Sequence, residues 1–191
     1  MLRLTDRAHE ICRHALESGE IAIDATVGNG HDTVFLAEIV GPEGHVYGFD
    51  IQTTALEQTR QKLGDELLRR VTLHEHSHAE MQEQIKAADR GRIKVIMFNL
   101  GYLPGGDKEI TTHTASTLAA IEAAFELLHP EGLISIIAYP GHDEGRRETE
   151  TVTAFLRARN ADGWGLETIE AVAARQTAPR CVLVRATSDV D

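Results

Sequence analysis

The stretch from Ile21 to Thr33 constrains the fold of this chain more than any other. Ile21-Ala22-Ile23-Asp24-Ala25 is a short apolar run interrupted by one acid, Thr26-Val27-Gly28-Asn29-Gly30 is a glycine turn, and His31-Asp32-Thr33 opens a helical pattern. A strand, turn and helix of this kind makes a ligand loop. Gly28 and Gly30 can take φ > 0 and let a ligand reach the backbone, and Asp32 or Thr33 is expected to cap a helix whose free N–H groups face that ligand. A dinucleotide loop carries a third glycine three residues after the second, and Thr33 stands there instead. A carboxylate at Asp24 would repel a pyrophosphate. It suits a ligand bearing an amine and a sulfonium, such as S-adenosylmethionine. The alternative at this point is a Gly-rich turn that holds nothing.

The rest of the chain keeps the alternation going. Thr5 to Ser18 is expected as an entry helix, with Ala8, Ile11, Cys12 and Ala15 at helical spacing and Gly19 closing it. After strand one (Ile21 to Ala25), a helix built on Val34, Phe35, Leu36, Ala37 and Ile39 ends at Gly41-Pro42, and His45 to Asp50 is strand two. Thr53 or Thr54 is expected to cap a helix through Leu63 that Gly64 stops. Val71 to His74 is a third strand, His78 to Ala88 a polar helix, and Arg92 to Phe98 a near-continuous apolar run, as in a strand covered on both faces. A Gly- and Pro-rich loop from Asn99 to His113 follows, and a loop of that length in a compact domain is usually functional.

Leu118, Ile121, Phe125 and Leu128 mark a helix stopped at His129-Pro130-Glu131-Gly132, and Leu133 to Tyr139 is a buried strand leading into Pro140-Gly141-His142. A helix from Glu148 to Arg159 and strands near Leu166 to Val172 and Arg180 to Val184 finish the pattern. Strand-helix alternation implies an α/β fold, a mostly parallel sheet with helices on both faces. The last two of the seven strands have no crossover helix between them and should pair as an antiparallel hairpin. With 191 residues, 42% of them hydrophobic, the chain is expected to be a single domain over residues 1–191.

The chemical signals fall at strand C-termini, where ligands sit in such sheets. Asp50 follows Gly30 by 20 residues and can accept hydrogen bonds from both hydroxyls of a cofactor ribose, with Ile51 and Gln52 flanking the adenine. The alternative for Asp50 is a helix cap. Asn99-Leu100-Gly101-Tyr102 has the length and outer residues of the Asn-Pro-Pro-Tyr element of amino-group methyltransferases. An Asn carbonyl and the next backbone carbonyl can accept N–H bonds from a target amine and aim its lone pair, while Tyr102 can stack on a planar base. A core Asn and a packing Tyr are the alternative. His74, His76 and His78 alternate, so strand periodicity would put them on one face and raises a metal site; no further ligand set accompanies them, and none is expected to form. Ser77 suits a helix cap and His78 a cofactor pocket.

Taken together, Asp24-Ala25-Thr26, Gly28-Asn29-Gly30-His31-Asp32-Thr33, Phe49-Asp50-Ile51-Gln52, Ser77-His78, the block from Phe98 to Lys108 and the Gly141-His142 turn resemble the YtqB/MnmM family of class I S-adenosylmethionine-dependent methyltransferases. The resemblance spans nearly the whole chain. It implies a Rossmann-like fold, S-adenosylmethionine as cofactor, and N-methylation of 5-aminomethyl(-2-thio)uridine at the tRNA wobble position. It further implies that Asp24, Thr26, Gly28, Asn29, Gly30, Asp32, Thr33, Asp50, Ile51, Gln52, Ser77, His78 and Asn99 serve the cofactor, and that Asn99, Tyr102, Asp107 and His142 serve the chemistry. One departure falls near the end. An Asn-Gln pair and a double proline are expected there, and the segment reads Ala174-Arg175-Gln176-Thr177-Ala178-Pro179-Arg180.

Methylation of rRNA or of a small amine is the alternative within this class, and a metallo-hydrolase or a cofactor-binding scaffold without turnover lies outside it. A net charge of −11 excludes a broadly basic RNA coat, so a tRNA anticodon loop would be met by a local rim, for which Lys108, Arg146, Arg147, Arg175 and Arg180 are candidates. No span is long enough for a membrane helix, and Cys12 and Cys181 read as buried apolar residues. A cytoplasmic protein, able to form a homodimer, is the expectation.

Overall fold

A computed structural model describes residues 3–101, 112–141, 143–159, 163–170 and 178–186. Its strands are β1 (Ile21–Asp24), β2 (His45–Asp50), β3 (Val71–Glu75), β4 (Ile93–Leu100), β5 (Leu128–Ala138), β6 (Trp164–Glu170) and β7 (Arg180–Ala186). They form one sheet in the order β3-β2-β1-β4-β5-β7-β6. The pairs among β1 to β5 are parallel, whereas β7 runs antiparallel to both β5 and β6. The expected hairpin is therefore present, and its second strand is inserted next to β5.

Two apolar cores lie on the two faces of this sheet. β4 supplies both by strict alternation: Ile96, Phe98 and Leu100 enter one core, Val95 and Met97 the other. The first core is closed by α5 (Thr114–Leu127) and α6 (Asp143–Arg159), through Ile121, Leu127, Val152 and Leu156. The second is closed by α1 (Leu4–Ala15), α2 (His31–Val40) and α3 (Thr53–Leu68), through Cys12, Phe35, Leu36 and Leu63. Cys12 and Cys181 are free thiols, both fully buried among these apolar groups.

Several boundaries differ from the periodicity. The polar helix expected from His78 to Ala88 is broken into 3-10 turns at His78–Glu80 and Ala87–Asp89 around a single helical turn, α4 (Met81–Gln84). Ile85 adopts an extended conformation there, with its side chain 2% exposed in the core. α1 ends before Ser18 because Leu16 is extended and buried. Asn99 and Leu100 belong to β4, not to the loop, since they pair with Ile137 and Ala138 of β5. β5 begins at Leu128, but the ladder jumps from Leu128 to Leu133, so the Pro130-Glu131-Gly132 turn survives as a bulge. α6 begins at Asp143, five residues before the expected Glu148, with Asp143 and Glu144 favoured in its first turn by the helix dipole. Gly64, at φ 59°, breaks α3 where a stop was expected.

Candidate active site

The C-terminal ends of β1, β2 and β4 converge because these strands are parallel neighbours at the centre of the sheet. The loop after β1 is bonded to both flanking strands: Ala25 N–H donates to the Met97 carbonyl and Val27 N–H to the Phe49 carbonyl. Gly28 (φ 48°) and Gly30 (φ 74°) both occupy the left-handed region, as the sequence requires. Gly30 itself is the N-cap of α2, so Asp32 and Thr33 lie inside the helix and neither caps it. Likewise Gln52, without a side-chain bond, caps α3, and Thr53 Oγ1 donates to Glu75 instead.

Freed from capping, these side chains build a network. Thr33 Oγ1 donates to Asp24 Oδ2 at 2.6 Å, and Thr26 N–H donates to Asp24 Oδ1 at 3.1 Å. Asp24 is fully buried beneath the loop, which corrects the expectation that it faces a ligand amine directly. Burial first, and then the Asp32 charge, push its carboxyl above the ordinary carboxylate range. Asp50 Oδ2 accepts Gly28 N–H and Oδ1 accepts Gln52 N–H, both at 2.8 Å. Each carboxylate oxygen keeps a second lone-pair direction for another donor. Beside it Ile51 is 57% exposed, an apolar surface at the sheet edge.

Ser77 caps its 3-10 turn by accepting Ala79 N–H, as expected. His78 is buried against Phe98, with Nδ1 donating to the Ala25 carbonyl at 3.3 Å and Nε2 left buried without a partner. Desolvation pushes its pKa down to about 4, so the ring is neutral at pH 7. The three alternating histidines do not share a face, because β3 stops at Glu75. His74 is half-buried on β3, stacked on Phe49 at 4.9 Å; His76 is exposed and pairs with Glu80. Among the described residues no cluster of three or more His, Cys, Asp or Glu could hold a metal ion.

Asn99 lies at the end of β4 with its backbone N–H donating to Thr26 Oγ1 at 2.7 Å and its Nδ2 to Asp32 Oδ2 at 3.4 Å. Two residues on, Gly101 and Thr112 are joined by two hydrogen bonds, Gly101 N–H to Thr112 Oγ1 and Thr112 N–H to the Gly101 carbonyl. Buried Glu148 accepts the hydroxyls of Thr112 and Thr117, each at 2.7 Å, and so ties this neck to α5 and α6. Tyr102, Asp107, Lys108, His142 and Arg175 lie outside the described residues. Of the remaining rim candidates, Arg147 is exposed, Arg146 pairs with Asp143 and Arg180 is half-buried.

Two residues at this edge escaped the sequence reading. Tyr139, directly after β5, is 38% exposed and its ring lies beside Gly101. An aromatic residue at a strand end before Pro-Gly was the available signal. His9 of α1 meets Asp32 at 2.6 Å, and no spacing pattern links residues that far apart.

The matching family model, described as "Putative rRNA methylase", spans residues 46–185. The chain belongs to this family. A tRNA (mnm(5)s(2)U34)-methyltransferase of Arabidopsis thaliana chloroplasts is 39% identical over 171 residues, 85% of this chain and 62% of that protein. The chain thus spans a little over three-fifths of that relative's length. The crystal structure of a "putative rRNA-methylase" from Clostridium thermocellum superposes with a TM-score of 0.91 at 36% identity, covering 97% of this chain and 98% of that one. A Streptococcus mutans "putative methyltransferase" in complex with SAH gives 0.84 at 31% identity, over 97% and 99% of the two chains. The family thus has the class I methyltransferase fold expected from the sequence. No helix among the described residues is long and apolar enough to cross a membrane.

Proposed function

We propose that this chain is an S-adenosylmethionine-dependent N-methyltransferase acting on the aminomethyl group of 5-aminomethyl(-2-thio)uridine at the tRNA wobble position. The observation that carries the reading is the meeting of Gly28, Asp50 and Asn99 at one edge of the sheet: a loop and carboxylate suited to a ribose stand beside an amide suited to an amine. The name of the Arabidopsis relative supports the substrate.

The residues present fit the cofactor. Asp50 would accept the ribose hydroxyls with its free lone pairs, Ile51 and Gln52 would flank the adenine, and the unpartnered His78 Nε2 would accept from its exocyclic amine. Thr26, Asn29 and Gly30 would shape the loop around the remainder, with Asp24 and Thr33 bracing it from below. When bound, S-adenosylmethionine supplies a sulfonium methyl: the amine lone pair forms the N–C bond as the C–S bond breaks, its electrons staying on the sulfur of S-adenosylhomocysteine.

The chain's own task is to hold a neutral amine in line. An alkylamine with a pKa of about 10 arrives as an ammonium and must lose a proton before attack and another afterwards. Asn99 Oδ1 and the Leu100 carbonyl would accept its N–H bonds, Asp107 or His142 would take the proton, and Tyr102 would stack on the base. Exposed Tyr139 offers a second aromatic surface at that edge. A base in a single-stranded anticodon loop costs less to extract than a paired one. Arg147 and Arg180, with Lys108 and Arg175, would supply the local positive rim, and a homodimer would widen it. The free Cys12 and Cys181 thiols suit a reducing compartment, the cytoplasm.

Nucleoside mass spectrometry of separate tRNA and rRNA pools from cells lacking the protein tests this reading. The tRNA should accumulate 5-aminomethyl uridine, which added protein and S-adenosylmethionine convert to the methylaminomethyl form. A methyl missing from rRNA, with wobble uridines unchanged, would overturn the tRNA assignment.

A further inference from the structure

Asn99 shares its side of β4 with Val95 and Met97, the side covered by α1 and α2. Both helices reach the same point from there. Asp32, in the first turn of α2, is 8% exposed and places one carboxylate oxygen 2.6 Å from His9 Nε2 and the other 3.4 Å from Asn99 Nδ2. A carboxylate only accepts, so both nitrogens must be donors. Phe35, one turn further along α2, stacks on the His9 ring at 4.0 Å and 4°, so the helix that carries the carboxylate also fixes the orientation of its partner.

This decides which end of the Asn99 amide is turned outward. An isolated asparagine can present either its oxygen or its NH2, and only the oxygen can accept from an amine. We propose that Asp32, held by His9, is a positioning residue that pins the Asn99 NH2 and thereby turns Oδ1 toward the methyl-accepting amine. The inference rests on the methyltransferase reading above and gives it a cause: the chain selects for an N–H-bearing acceptor by fixing one amide flip. With Asp32 gone, the amide could reverse and set a donor against the donor amine, leaving one or both unpaired. The backbone bond from Asn99 to Thr26 would persist, so the residue would stay in place while its side chain lost its direction.

The test is a double-mutant cycle between D32A and N99A, with kcat measured on tRNA bearing 5-aminomethyl uridine and S-adenosylhomocysteine affinity by calorimetry. D32A should lower kcat by about tenfold or more while changing that affinity less than about threefold, and in the N99A background it should cost less than about twofold. H9Q, which keeps a donor for Asp32, should recover most of the activity that H9A loses. Independently of turnover, the Asn99 side-chain NH2 signals in the S-adenosylhomocysteine complex, identified by their absence in N99A, should shift in D32A and D32N. Equal losses in both backgrounds, unchanged amide signals, or a D32A defect confined to cofactor affinity would each overturn the proposal. Should wild-type protein bind S-adenosylhomocysteine yet leave the wobble amine unmethylated, the substrate reading falls instead, and the amide signals still decide the role of Asp32.

Discussion

The Asp50 carboxylate accepts the Gly28 backbone N–H at 2.8 Å, across a separation of 22 residues. The end of β2 thus sets the shape of the loop after β1, and one side chain serves both the loop and the proposed ribose site. Asp50→Ala removes the acceptor for Gly28 and Gln52 as well as the acceptor for the ribose hydroxyls. Charge-assisted hydrogen bonds contribute roughly 1.5–3 kcal/mol each, so S-adenosylhomocysteine affinity should fall at least about tenfold in calorimetry. Unchanged affinity would remove Asp50 from the site.

Gly30 is required twice over. Its φ of 74° disfavours any side chain, and a Cβ there would lie 2.8 Å from Thr59 Cγ2 and 2.9 Å from Thr59 Cβ. Gly30→Ala should destabilise the protein by about 1–3 kcal/mol in urea denaturation. Adding Thr59→Ala removes the Cγ2 contact but keeps the Cβ contact and the backbone strain, so it should return only part of that. Complete recovery in the double variant would assign the cost to the Thr59 side chain beyond Cβ.

The buried, neutral His78 gives a signed pH dependence. Its folded pKa is near 4 against 6.5 for the free group, so between these values the unfolded chain binds more protons than the folded one. The contribution is present in full above about pH 6.5, declines as pH falls, and at pH 4 amounts to a loss of about 3 kcal/mol at most. His78→Gln should therefore show a shallower fall in stability between pH 7 and pH 4 than the wild type, measured by urea unfolding at each pH. Parallel curves would show that His78 is not the group responsible.

Glu148 accepts the hydroxyls of Thr112, which is bonded to Gly101, and of Thr117 on α5. Its replacement by Ala strands the buried Thr117 hydroxyl, at about 1–3 kcal/mol, and frees the half-buried Thr112 hydroxyl at smaller cost. Thermal unfolding should move down accordingly, and Glu148→Gln, which keeps one good acceptor, should lie between the two. If Glu148→Ala melts like wild type, the neck is held by other contacts.

Much of the site was legible because its residues lie in short stretches whose spacing is a local property. Asp50 ends β2, and Gly28, Gly30 and Ser77 lie in the turns that follow β1 and β3; period-2 and period-3.6 patterns locate such turns to within a few residues. The misplaced helix caps share one cause. Asp32 and Thr33 are residue types that cap isolated helices, but buried polar groups bind whichever partner the tertiary fold brings closest. For Asp32 and Thr33 those partners were His9, Asn99 and Asp24, on three other elements.

The amino-acid sequence by itself determined the alternation of strands and helices, the glycine loop and the parallel sheet that puts its chemistry at one edge, because hydrophobic period, φ > 0 turns and crossover handedness are properties of neighbouring residues. Only the tertiary structure decided that β7 inserts between β5 and β6, that Asn99 ends a strand instead of opening a loop, and that His9 reaches across to Asp32. Those contacts join residues dozens of positions apart, and their partners are selected by packing in the two cores, which no local pattern of side chains records.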